Sequence, residues 1–155
     1  MSNTVKIERV ELFGGCAGQD WRKPFIDLLS AGGVEYFDPR KTYTPGDSSH
    51  YRSELYGLFA AQNSLRVFGI PDDTACLEAL GELDSLLLRD GDRHEIVAYI
   101  APAVNSKVEP QMALLSNHYR VMTKSRIDQF KDSPRIHPAE SLEQALRITA
   151  NFIID

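Results

Sequence analysis

The sequence predicts one α/β domain over residues 1–155, built on a mostly parallel sheet of five strands with helices on both faces. Three observations carry this. Short apolar runs alternate with segments of helical spacing along the whole chain. Turn signals rich in glycine, proline and aspartate separate them. The length suits one domain with a full hydrophobic core.

The elements follow in order. Arg9 to Gly14 (RVELFG) is a short strand that ends in glycines. Trp21 to Ala31 carries Trp21, Phe25, Leu28 and Leu29 at helical spacing, and Gly32-Gly33 stops that helix. Val34 to Asp38 (VEYFD) is the second strand, ended by Pro39. Arg40 to His50 is a polar loop, long enough to act as a lid or recognition loop. Tyr51 to Gln62 reads as a helix. Leu65 to Ile70 is a buried third strand, and a helix from about Thr74 to Arg89 follows with Leu77, Leu80, Leu83, Leu87 and Leu88 in register. Glu95 to Ala101 (EIVAYIA) is a fourth strand, expected at the sheet centre. Glu109 to Asn117 reads as a helix, Tyr119 to Met122 as a short fifth strand, and Ser125 to Phe130 as a short helix. Ser141 to Gln144 is a capping box that starts a final helix running to near Phe152.

Composition excludes several classes. The hydrophobic fraction is 43% and the charged fraction 25%, ordinary for a globular protein. A net charge of -5 argues against a dedicated nucleic-acid binder, which carries a basic face. No apolar run approaches the ~18 residues that span a bilayer. The N-terminus lacks the charged-then-apolar layout of a signal peptide. Cys16 and Cys76 show no metal or redox spacing and suit thiols in a reducing cytoplasm, the expected location. His50, His94, His118 and His137 are scattered, so no metal site is expected.

Two turns carry the chemistry. The third strand runs into Pro71-Asp72-Asp73-Thr74 and a helix with Glu78 in its first turns. In a parallel sheet ligands bind beyond the carboxyl ends of strands, beside helix N-termini. Asp72 and Glu78 lie six residues apart, close enough to face one pocket. A carboxylate there can attack a sugar carbon, while its blander role is a solvated helix position. Asp72, Asp73 or Thr74 caps the helix, and a remaining aspartate holds or protonates a leaving base. The second turn, Gly14-Gly15-x-x-Gly18-x-Asp20-Trp21-Arg22, is neither a dinucleotide fingerprint nor a P-loop. Its small residues let a ligand approach the backbone. Asp20 is a candidate N-cap, Trp21 a core anchor and Arg22 a candidate donor to a ligand oxygen. Tyr36 and Phe37 line a base pocket or fill core.

Phe13-Gly14-Gly15-x-x-Gly18-x-x-Trp21-Arg22, followed by Tyr36-Phe37-Asp38-Pro39 and a glutamate-bearing helix after the third strand, resembles the nucleoside 2-deoxyribosyltransferase superfamily over roughly the first 100 residues. The resemblance implies a flavodoxin-like three-layer sandwich and a homo-oligomer. It implies that Glu78 attacks C1′ of a nucleoside, that Asp72 assists the leaving base, and that a second base or water resolves the intermediate. It implies substrate contacts from Gly14, Gly15, Gly18, Asp20, Trp21, Arg22, Phe37, Asp38, Asn63 and Asp73. No metal or organic cofactor is required. The chain departs from the family pattern at Asp38, where asparagine is common, and at Asn63, where many members carry an acidic residue. Glu82 is a competing carboxylate one turn after Glu78.

The function expected is therefore cleavage or transfer of the N-glycosidic bond of a (deoxy)nucleoside or nucleotide. An oxocarbenium-like transition state is well served by a close carboxylate. The alternatives are an NAD-cleaving glycohydrolase of the TIR-like type, and a non-catalytic nucleotide-binding or sensing module. No nucleic-acid or membrane partner is expected.

Overall fold

A computed structural model describes residues 7–15, 18–41 and 63–153. The helix expected over Tyr51 to Gln62 and most of the Arg40 to His50 loop lie outside the described residues. The elements are β1 (Arg9–Gly14), α1 (Lys23–Ala31), β2 (Glu35–Phe37), a short 3-10 turn (Pro39–Lys41), β3 (Ser64–Ile70), α2 (Leu77–Asp90), β4 (Glu95–Ile100), α3 (Pro110–Asp128), β5 (Ile136–Ala139) and α4 (Leu142–Ile153). All strand pairs are parallel, in the order β2-β1-β3-β4-β5. This is an α/β fold consistent with a flavodoxin-like three-layer sandwich.

The alternation of side chains along each strand sorts the core into two layers. On one face Val10, Leu12, Leu65, Val67 and Val97 pack with Trp21, with Phe25 and Leu29 of α1, and with Ala145 of α4. On the other, Phe13, Phe68, Ile70, Ile96 and Ala98 meet Leu80, Leu83 and Leu87 of α2 and Ile127 of α3. Every residue of β3 is buried, as a strand covered on both sides requires. Phe13 stacks on Phe68 with ring centroids 5.2 Å apart.

Two expectations are corrected. The central strand is β3; β4 stands one place nearer the edge. Tyr119 to Met122 is not a strand, because Pro110–Asp128 forms one continuous helix and the fifth strand is Ile136–Ala139. That strand is short and carries Pro138 at the sheet edge, a position where a missing N–H is tolerated. The final helix starts as expected: the Gln144 amide donates to Ser141 Oγ at 3.0 Å.

Helix α3 has an unusual distribution. Its buried stripe is Ser116, Arg120, Thr123 and Ile127, three polar residues in four. Met112, Leu114, Leu115, Tyr119, Val121 and Met122 are exposed.

Candidate functional site

The strand order reverses between β1 and β3, since β1 leads outward to β2 and β3 leads the other way to β4. Ligands in open α/β sheets bind at such a switch point, beyond the carboxyl ends. The two turns singled out from the sequence meet there.

The first turn is shaped by packing. Gly14 pairs with Gly69 across the two strands. A side chain at Gly14 would overlap the Gly69 carbonyl oxygen, with only 2.0 Å between the atoms, and its φ of 145° suits only glycine well. The Trp21 indole covers both glycines and donates through Nε1 to the Gly15 carbonyl at 3.0 Å. Arg22 is 1% exposed and donates to the carbonyls of Leu12, Gly14 and Gly15 at 3.0, 3.2 and 2.7 Å. It anchors the backbone of the turn; expected as a donor to a ligand, it is instead turned inward. Carbonyls at the end of a strand lack ladder partners, and one buried guanidinium satisfies three of them.

Asp38 stands 3.7 Å from Arg22 and takes a forked contact from Arg40, at 2.8 to 3.2 Å. Burial pushes its carboxyl up, but the bonds and charge of Arg40, with Arg22 behind, more than offset this and hold it below the usual carboxylate range. Asp20 does not cap α1. Arg22 occupies that N-cap position without a side-chain capping bond, and Asp20 pairs with Arg40 at 2.8 Å. Phe37 is core, tilted against Phe13.

The second turn is held from below. Arg120 of α3, 0% exposed, donates to the carbonyls of Pro71 and Thr74 at 2.8 Å, to Ala101 at 3.0 Å and to Ser116 Oγ at 2.9 Å. Burial lowers its pKa, while Cys76, Asp72 and Tyr99 act in the opposite sense. The Asn105 amide donates to the Asp72 carbonyl at 2.7 Å. Neither aspartate nor Thr74 caps α2; Cys76 is its N-cap, left-handed at φ 52°, with its Sγ 2.8 Å from Thr74 Oγ1. Asp73 reaches the first turn instead, where its Oδ2 accepts from the Gln19 amide at 2.6 Å, against Gly18. The two turns therefore converge through Gly18, Gln19 and Asp73, and through Gly15 against Thr74 and Cys76.

Asp72 and Glu78 are both exposed. Glu78 stands in the first turn of α2. Tyr99, near the end of β4, feels Asp72: burial raises its phenol pKa first, and the Asp72 charge raises it further. Asn63 does not join this group. It precedes β3, at the opposite end of the sheet, beside a cavity of about 100 Å³ lined also by Ser64, Arg66, Arg93, His94 and Arg135. Among the described residues no three His, Cys, Asp or Glu side chains stand together as a metal-ligand set.

Sequence reading passed over Arg120, Arg40 and Tyr99. Arg40 had a signal, two residues after an aspartate whose Oδ1 accepts its amide at 3.0 Å. Arg120 had a fainter one, its four-residue spacing from Ser116 and seven from Ile127 on one helical stripe. Comparison of this chain with protein-family models, with curated proteins and with solved structures found no match.

Proposed function

We propose that this chain cleaves or transfers the N-glycosidic bond of a (deoxy)nucleoside or nucleotide at the switch-point crevice. A Glu78 carboxylate oxygen bonds to the anomeric carbon as the bond from that carbon to the base nitrogen breaks. The base leaves with the electron pair and takes a proton from Asp72. Water or a second base then attacks the anomeric carbon, frees Glu78, and returns its proton to Asp72. The observation that supports this is the Pro71 to Cys76 turn: Arg120 fixes its backbone from within, leaving Asp72 and Glu78 open to solvent at the strand end. A rigid scaffold that holds the reacting groups in fixed geometry is what such chemistry needs.

A second reading, a nucleotide-binding module without turnover, is favoured by the exposure of Glu78, since a shielded nucleophile would be withdrawn from water. Chromatography of the protein incubated with each nucleoside, with and without a free second base, separates the two. We expect release or exchange of base, lowered by roughly three orders of magnitude in Glu78→Gln. Binding with unchanged affinity in that variant and no turnover would favour the module. Release of nicotinamide from NAD would redirect the reading to the glycohydrolase class.

A further inference from the structure

The outward face of α3 is the least expected surface of the molecule. Met112 is 40% exposed, Leu114 75%, Leu115 43%, Tyr119 43%, Val121 62% and Met122 41%. An amphipathic helix on a sheet turns its apolar stripe inward, and this one buries Ser116, Arg120 and Thr123 instead. The four that share one side of the helix, Met112, Leu115, Tyr119 and Met122, leave on the order of 300 Å² bare, the centre of an interface whose standard size is about 800 Å² per partner.

Four of the positions are also self-complementary. Met112, Leu115, Tyr119 and Met122 are spaced i, i+3, i+7 and i+10 on one side of the helix, and Met112 with Met122 and Leu115 with Tyr119 both straddle the level of residue 117. A two-fold axis across an antiparallel helix pair matches residues in this way, equidistant from the crossing point.

We propose that α3 packs antiparallel against α3 of a second copy of this chain, crossing near Asn117, to form a two-fold dimer. Leu115 and Tyr119 form the centre of the contact and Met112 and Met122 its ends, the flexible methionines filling the gaps between helices. The proposal stands apart from the glycosyl reading and needs no ligand.

Sedimentation velocity of the full chain tests it over a dilution series reaching about 100 μM. We expect a species of twice 17.4 kDa, shifted to monomer by Leu115→Glu and by Tyr119→Glu with the far-ultraviolet dichroism and melting temperature retained. Orientation is read by cross-linking. Ten residues of helix span about 15 Å, so positions 112 of two antiparallel copies are too far apart for a disulfide, while 112 and 122 face each other. The double variant Met112→Cys/Met122→Cys should therefore oxidise to a covalent dimer linked 112 to 122. Each single variant, and the unaltered chain with Cys16 and Cys76, should not. A monomer throughout the series, a dimer indifferent to Leu115→Glu, or a double variant that fails to cross-link would each overturn the proposal.

Discussion

Arg120 shows how one residue organises a site it does not enter. Its guanidinium ties together the ends of β3 and β4 and the turn between β3 and α2, through the carbonyls of Pro71, Thr74 and Ala101. A planar fork of donors reaches three acceptors at once; a lysine ammonium at the end of a flexible stem does not. Replacing Arg120 by methionine keeps the volume but leaves buried carbonyls unpaired. We expect a loss of about 2–4 kcal/mol, with Arg120→Lys recovering less than half, measured as the shift in urea midpoint. An unchanged midpoint in both variants would show that the turn holds its shape without the cation.

At the scale of elements, Trp21, Gly14 and Gly69 form one packed unit joining α1 to two strands. A methyl group on Gly69 would lie 2.5 Å from the indole. Gly69→Ala should cost about 3 kcal/mol in the native chain and less than half as much in a Trp21→Leu background. Additive costs in the double-mutant cycle would mean that the strand, not the indole, resists the methyl. This unit was legible in the sequence as a strand ending in glycines with an aromatic anchor close behind. So were α1, α2, α4 and four of the strands, because each carries an apolar stripe or run facing the core. The first half of α3 was read as a helix, and its second half was misread for the opposite reason. Its apolar residues face outward, so Tyr119, Val121 and Met122 gave a short run resembling a strand, while the polar stripe that holds it to the body gave no helical signal. The fifth strand was missed because four residues including His137 and Pro138 carry little strand character. At the site, the acidic turn and the glycine turn could be seen to belong together. Asp73 linking them, Arg22 facing inward and Asn63 lying at the far end of the sheet depend on long-range geometry that local pattern does not contain.

For the molecule as a whole, the dependence of stability on pH should carry the mark of one buried carboxyl. Glu11 is 0% exposed, with Oε2 3.4 Å from Arg66 Nε, and burial outweighs that attraction to push its pKa up to about 7. Unfolded, it ionises near 4.5. Between those values the folded state holds the extra proton, so its contribution is full below about pH 4.5 and is lost as pH rises through 7, about 3 kcal/mol in all. His94, whose pKa is lowered chiefly by burial, works in the other direction near pH 6.5. Chemical denaturation of the native chain and of Glu11→Gln from pH 4 to 8 separates the two. The stability difference between them should change by most of that amount, in favour of glutamine as pH rises; a flat difference would mean that Glu11 stays ionised in the fold. The outline of the sheet carries one more consequence. Its edges are a three-residue strand on one side and, on the other, a four-residue strand in which Pro138 offers no N–H to a newcomer. Short edges and edge prolines deny a foreign strand the hydrogen-bond ladder it would need. The chain can therefore expose as much oily surface as α3 does without inviting fibrous growth, since the two-fold contact proposed for that helix would close on itself after two copies whereas contact through a sheet edge would not.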